Sequence, residues 1–311
     1  MKKLIFVIAI VAAAIIMTAC GGTDDAETTG NDVGTEEPEA AEIRTVEDFV
    51  QIEDVISVDK LTVESVVDVD AFRLMFRSGD EAIAANIVMP SDYVNGTKHP
   101  VLLYFPEAAY KVESLAYNYA LNGVAVVRMY ARGFGDSEGV RDLGGDGDLD
   151  AAQTLLRICD SAHYVKNSKI FVVGSSEGSI TALRLTASDE NNRIAGCAIT
   201  DMITDLPAFI ETRGEDIQML CEYLIGNTYE EATEEYDKRS AVTFSNRFTE
   251  IPLLLIAYTQ NEFFPVEQAE TFYTLLKDSN KDCSYYEMDI LMSDFGGEGL
   301  LRLLSWVNKY D

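Results

Sequence analysis

Short apolar segments rich in β-branched and aromatic residues recur along the chain beyond residue 70. Several are almost continuously apolar, which is typical of parallel strands that are covered on both faces. Segments with helical spacing of their apolar residues lie between them. This alternation predicts an α/β domain with a mostly parallel central sheet of about eight strands and helices on both faces. The predicted strands are 72–76, 82–90, 99–105, 123–130, 169–174, 194–200, 251–259 and 283–290.

The first twenty residues predict an export signal. Lys2 and Lys3 precede an apolar run over 4–17, which is short for a membrane-spanning helix. The run ends in "MTAC", which resembles the lipobox of bacterial lipoproteins. The resemblance implies cleavage before Cys20, a lipid such as palmitate on its thiol, and an extracytoplasmic protein held by the lipid bilayer of the cell membrane. An uncleaved anchor helix is the alternative, and it also leaves the body outside the cytoplasm.

The region after the signal is strongly acidic. Residues 21–44 contain many acids and almost no large apolar side chains, which predicts a flexible linker. Residues 45–311 are long enough to form a single α/β domain. The whole chain carries a formal net charge of −29. Such a charge repels nucleic acid, so we predict no nucleic-acid partner.

Four further cysteines form no C-x-x-C pair and have no nearby histidine to complete a metal site. Buried free thiols are the favoured interpretation, although an exported protein could pair two of them. The four are Cys159, Cys197, Cys221 and Cys283.

The stretch "DGDLD", residues 146–150, imitates the start of a calcium-binding loop. Its sixth position is Ala151 instead of glycine and its twelfth is Arg157 instead of glutamate, so the match fails at both diagnostic points. Capping of the following helix by Asp148 or Asp150 explains the aspartates better. No motif predicts a metal or another cofactor.

The stretch "KIFVVGSSEGSITALRL", residues 169–185, contains the pattern G-x-S-x-G between a predicted strand and a predicted helix. In that context Ser176 is a candidate nucleophile on a strained turn. The backbone N–H of Glu177 would then form half of an oxyanion hole at the start of the helix.

Three separate stretches resemble the α/β-hydrolase superfamily, in particular its branch of prolyl-oligopeptidase-type peptidases and acetyl-ester deacetylases. They are "ARGFGDSEG" (131–139), "GSSEG" (174–178) and the segment 235–277, and the resemblance covers roughly residues 65–311 in the right order. It implies an α/β-hydrolase fold with a small helical cap inserted at about 202–250. It also implies descent from serine hydrolases that cleave ester or peptide bonds.

The catalytic histidine of that family is missing. It belongs on the loop after the last strand, here 291–299, where Asp294 (or Ser293) occupies its position. The whole chain has only two histidines: His163 precedes the predicted strand 169–174, and His99 opens the predicted strand 99–105. In a parallel sheet they therefore lie at the opposite end from Ser176, too far away to act as its general base.

Other catalytic positions also depart from the family pattern. The position of the acid is taken by Asn261, an amide, although the neighbouring Glu262 or the more distant Asp201 could substitute for it. In the loop that should complete the oxyanion hole stands Pro106, which has no N–H to donate, and the hydroxyl of Tyr110 is the only replacement we identify.

Two hypotheses follow for the function. The first is a catalytically impaired protein, a pseudoenzyme, that binds an unknown small molecule, peptide or partner in the inherited cleft. The second is an active serine hydrolase of the esterase or peptidase type that uses Ser176 with an atypical base, such as a carboxylate whose pKa is raised by burial. Surface anchoring without any ligand is a third alternative.

Overall fold

The computed structural model describes residues 53–62, 67–106, 113–290 and 297–311. The predicted signal and linker, with Cys20, lie outside these ranges, as do Tyr110 and Asp294. The predicted domain boundaries stay predictions. In the described part of the chain, no helix is long and apolar enough to cross a membrane.

A sheet of nine strands forms the centre of the described chain, in the order β1-β2-β3-β5-β4-β6-β7-β8-β9. The predicted α/β class with a predominantly parallel sheet is confirmed, since β4 to β9 are all parallel. The first three strands pair antiparallel at one edge. The strands are β1 (Val55–Leu61), β2 (Val69–Ser78), β3 (Glu81–Pro90), β4 (His99–Phe105), β5 (Ala125–Met129), β6 (Val165–Ser175), β7 (Ile194–Thr200), β8 (Leu253–Tyr258) and β9 (Cys283–Met288).

Helices cover the two faces of this sheet. The described helices are α1 (Glu113–Leu121), α2 (Asp146–Ser161), α3 (Gly178–Ser188), α4 (Leu206–Glu211), α5 (Glu215–Ile225), α6 (Thr233–Asp237), α7 (Val266–Leu276) and α8 (Glu298–Tyr310). One core packs α2, α3 and α7 against the sheet, and the other packs α1 and α8 against the opposite face. Strands β4, β5 and β8 are buried at every position, which explains their continuous apolar runs.

Residues between β7 and β8 fold as short helices, α4 to α6, followed by a 3-10 segment over Ala241–Phe248. Their apolar side chains form a separate small core. This core includes Leu206, Phe209 and Tyr236, and it packs on Ile180 of α3 and Phe264 after β8. The helices therefore lie beside the segments that follow β6 and β8, where the family resemblance predicts a cap.

Candidate active site

The serine turn, residues 174–178, joins β6 to α3. Ser176 adopts a left-handed backbone with φ of 53°, a conformation that costs roughly 1–2 kcal/mol for a residue with a side chain. Its N–H donates to the carbonyl oxygen of Thr200 at the end of the neighbouring strand β7, at 3.2 Å. The chain reverses within these few residues, because α3 begins at Gly178.

The two glycines of this turn are required by close packing. A Cβ on Gly178 would lie 2.1 Å from the carbonyl oxygen of Phe105, the last residue of β4. A Cβ on Gly174 would lie 2.6 Å from the Cβ of Ala182 on α3. Both distances are far below van der Waals contact, so only glycine lets the turn seat against β4 and lets α3 pack on β6.

The hydroxyl of Ser176 is fully buried, with 0% of the residue exposed. It has no hydrogen-bond partner among the residues that the structure describes. No described carboxylate or imidazole therefore forms a hydrogen bond with it. The hydroxyl of Ser179, by contrast, has two partners: it donates to the carbonyl oxygen of Ser176 at 2.6 Å and accepts from the N–H of Ile203 at 2.9 Å.

Glu177 follows the serine, as predicted, at the point where α3 begins. Its carboxylate accepts a hydrogen bond from Nη2 of Arg141 at 2.6 Å, and the same guanidinium lies over the ring of Phe134. Next to it, Pro106 and Arg141 help to enclose a cavity of about 30 Å³. This space is large enough to hold a water molecule. The oxyanion role of the Glu177 N–H stays a prediction.

Both histidines lie far from Ser176. His99 is buried at the start of β4, where Nε2 contacts Asp92 Oδ1 at 2.8 Å and Nδ1 contacts the carbonyl oxygen of Gly123 at 3.1 Å. His163 is exposed in the turn before β6. Strand β6 is longer than its apolar run suggests, eleven residues from Val165. A register shift lets Val165 pair with His99 and Gly174 with Phe105, so His163 lies roughly 20 Å from the serine turn, about the length of β4.

The loop between β8 and α7 carries the two candidate acids. Oδ1 of Asn261 accepts from the N–H groups of Phe263 and Phe264, at 3.0 and 3.4 Å, so the amide stabilises the turn. Glu262 has an exposed side chain, and its carbonyl oxygen accepts from Nη1 of Arg213 at 2.7 Å. Neither side chain forms a hydrogen bond with Ser176. Three assignments stay predictions: Asn261 at the degenerate acid position, Glu262 as a possible substitute acid and Asp294 at the degenerate histidine position.

The loop between β5 and α2 contains a polar network. Arg132 forms a bidentate pair with Glu81, at 2.6 and 2.5 Å, and this pair lowers the pKa of the carboxylate. The backbone N–H groups of Arg132 and Gly144 both donate to the buried carboxylate of Asp148, at 3.1 Å each. Gly144 in turn approaches Ile180 of α3, so this network fixes the loop against the helix that follows the serine.

The prediction that Asp148 or Asp150 caps α2 is wrong. The helix already begins at Asp146, and its first N–H groups instead donate to the carboxylate of Asp142. Asp148 lies inside the first turn, where burial and the neighbouring Asp142 raise its pKa to about 8. Sequence reasoning missed this cluster, because the path of the loop decides which acid meets the helix.

The four cysteines outside the signal are free thiols in the structure. Three are buried and Cys283 is half-buried. Burial raises the pKa of each to about 12, so they carry no reactive thiolate at neutral pH.

Solved structures with a similar architecture include esterases, a dipeptidyl peptidase and an S-formylglutathione hydrolase. An acetyl xylan esterase from Paenibacillus sp. R4 is 18% identical with a TM-score of 0.59, over 80% of this chain and 87% of that one. An S-formylglutathione hydrolase from Agrobacterium tumefaciens is 11% identical with a TM-score of 0.61, over 81% of this chain and 99% of that one. Porphyromonas gingivalis dipeptidyl peptidase 4 is 14% identical with a TM-score of 0.59, over 82% of this chain but only 43% of its own length.

No protein-family model matches the chain, and no curated protein matches it by sequence. The structural similarities, together with the sheet order and the serine turn, show that the chain has the α/β-hydrolase fold.

Proposed function

We propose that this protein is a membrane-anchored, extracytoplasmic pseudoenzyme of the α/β-hydrolase fold. In this proposal it descends from serine hydrolases of the esterase or peptidase type and binds a small molecule, a peptide or a partner. It is held at the cell membrane through lipidated Cys20. The observation that carries the loss of catalysis is the position of the histidines: the chain has two, and neither lies near Ser176.

Two further observations support this proposal. The Ser176 hydroxyl is fully buried and has no described partner. The Asn261 amide serves the turn in which it lies. Loss of the histidine from a serine-protease triad costs about six powers of ten in turnover, and an ordinary carboxylate is too weak a base at neutral pH to replace it.

The alternative is an active serine hydrolase with an atypical base. One observation favours it: the turn keeps the left-handed Ser176 and both close-packed glycines. These are the features with which such enzymes present the nucleophile.

Labelling with a fluorophosphonate probe separates the two functions. The full-length protein in detergent is treated with the probe and assayed with a short-chain ester, with Ser176→Ala as the control. We expect no labelling above this control and no ester turnover, while circular dichroism shows a folded protein. Labelling that disappears in Ser176→Ala would establish an activated serine and overturn the pseudoenzyme proposal.

The anchor is tested separately. Expression in a bacterial host with a clickable palmitate analogue should label the wild-type protein in the membrane fraction. Cys20→Ser should abolish the label and leave the unprocessed chain. Equal labelling of both proteins would contradict the proposed lipidation site.

A further inference from the structure

A second cavity, of about 360 Å³, lies on the sheet face that α1 covers. Its volume falls in the range of small-molecule sites. We call it the arginine cavity, because Arg73 of β2 and Arg128 of β5 both line it, with Asn86 of β3 between them. The exposed Thr62 lies at its edge, so the cavity reaches solvent.

Strand register places the three polar residues side by side. Arg73 pairs with Asn86, and Asn86 pairs with Arg128, across three adjacent strands. Residues in register on neighbouring strands share one face of the sheet and lie about 5 Å apart. The ring of Tyr130 packs against both guanidinium groups, 4.7 Å from Arg73 and 4.3 Å from Arg128. One aromatic ring thus holds two positive charges beside the same cavity.

One polar atom of Arg73 and one of Asn86 lack partners among the described residues. Nη2 of Arg73 pairs with Asp136 at 3.1 Å, but its Nη1 is buried without a partner among the described residues. Asn86 is 7% exposed, and its Nδ2 donates to the Tyr130 hydroxyl at 3.0 Å. Its Oδ1 has no described partner. A buried donor without an acceptor is costly, and a ligand oxygen that accepts from Nη1 of Arg73 would remove that cost.

The remaining walls indicate the rest of the ligand. Next to the polar row, Ala71, Val88 and Val126 form an adjacent apolar row in register. An inorganic anion would leave this surface uncovered, whereas an organic anion with an aliphatic body covers it. Two guanidinium forks match the planar oxygens of a carboxylate.

We propose that the arginine cavity binds a small organic carboxylate, with its oxygens on Arg73 and Arg128 and its apolar body on Ala71, Val88 and Val126. The site is distinct from Ser176 but close to it in the fold. Tyr104, the next residue in the polar row, contacts the Oγ of Ser175 with its hydroxyl at 3.1 Å. The carboxylate therefore binds one strand away from the serine turn.

Isothermal titration of the full-length protein in detergent tests this site with three probes. Hexanoate carries the charge and the apolar body, hexanamide keeps the shape without the charge, and inorganic phosphate keeps a charge without the body. We expect hexanoate to bind at least tenfold more tightly than either of the others. Absence of hexanoate binding, equal binding of hexanamide, or tighter binding of phosphate would overturn the proposal.

Arginine variants test whether hexanoate binds in the arginine cavity. Arg73→Met and Arg128→Met should each weaken hexanoate binding at least tenfold, and Arg128→Lys should restore only part, because lysine lacks the planar fork. The matched control is Arg302→Met, since Arg302 also stacks on a tyrosine, Tyr286 of β9, at the opposite edge of the sheet. Its affinity should stay within twofold of wild type. An equal loss in Arg302→Met would mean a general charge effect and would refute the site.

Further measurements separate carboxylate binding from effects on folding and on catalysis. Thermal melts check each variant, and if Arg128→Met does not fold, the more exposed Arg73→Met decides alone. Ser176→Ala should bind hexanoate like the wild type. Fluorophosphonate labelling of the wild type would overturn the pseudoenzyme proposal and leave this site standing, whereas lost carboxylate binding would have the reverse effect.

Discussion

The loops that follow β6 and β8, both at the carboxyl ends of parallel strands, are held in place by different contacts. After β6, the serine turn is fixed by backbone contacts: Gly178 seats on the carbonyl of Phe105, and Ser176 donates to Thr200. After β8, side chains help to hold the loop: Asn261 accepts from the N–H groups of Phe263 and Phe264, and Arg213 donates to the carbonyl oxygen of Glu262.

The difference separates what packing requires from what chemistry requires. The serine turn cannot change its glycines without moving β4 or α3, so its shape is needed for the fold whether or not Ser176 reacts. The loop after β8 needs only an oxygen acceptor at residue 261, which an amide provides as well as a carboxylate does. A serine on a left-handed turn is therefore evidence of this fold and not, by itself, of catalysis.

The largest effect is expected where the serine turn meets β4. Gly178→Ala places a Cβ 2.1 Å from a backbone oxygen, so strand and helix must separate. We expect a loss of about 4 kcal/mol or more in the free energy of unfolding, measured by urea denaturation. Glu262→Ala, on the exposed side of the other loop, should change it by less than about 0.5 kcal/mol. A loss below about 1 kcal/mol for Gly178→Ala would show that packing does not fix the turn.

Asp148, in the polar network between β5 and α2, should make the stability of the fold depend on pH. The raised pKa of Asp148, about 8, means that the folded protein keeps a proton that the unfolded chain releases near its ordinary pKa of 3.8. The contribution of Asp148 to stability is therefore fully present below its unfolded pKa and falls as pH rises towards 8, by about 1.4 kcal/mol per unit. Urea denaturation between pH 5 and 7 should show this slope in the wild type and a flatter one in Asp148→Asn. Equal slopes would mean that Asp148 is ionised in the fold.

Removal of the serine side chain should stabilise the protein. Ser176→Gly relieves the left-handed backbone and removes a buried hydroxyl without a described partner, so we expect a gain of about 1 kcal/mol. Ser179→Gly is the matched control, because it deletes a hydroxyl with two partners in the same turn and should cost about 2 kcal/mol. Thermal melts compare the two, and a destabilised Ser176→Gly would contradict the assignment of strain to this residue.

The smallest effect is expected in the loop after β8. Asn261→Ala loses the acceptor of two N–H groups and should cost about 1 kcal/mol. Asn261→Asp keeps an acceptor and should cost only a few tenths of that. Urea denaturation measures both. If the aspartate also produced fluorophosphonate labelling, the loop would be poised for catalysis after all, and the contrast between the two strand ends would fail.

The sequence predicts the interior of this fold better than its edges. All eight predicted strands form, because buried strands are read directly from continuous apolar runs. The edge strand β1 was missed, since "VISVDKL" mixes charged with apolar residues and is mostly exposed or half-buried. The position of Ser176 on a turn followed from its motif. The burial of its hydroxyl did not, because burial depends on neighbours that are distant in sequence.

The arginine cavity shows a second limit of prediction from sequence. Arg73, Asn86 and Arg128 are spread over three strands, and β5 lies next to β3 only because the chain crosses over β4. Each residue alone is an ordinary polar position in an apolar run. Their common site becomes visible once strand order and register are known.

The buried free cysteines can report local unfolding in different parts of the molecule. Cys197 lies in the sheet on β7 and Cys159 on α2, whereas Cys221 belongs to α5 in the segment between β7 and β8. A thiol with a pKa of about 12 is alkylated only when its surroundings open and expose it. The relative rates at which iodoacetamide alkylates these cysteines under native conditions would therefore show whether the small helical core unfolds before the central sheet.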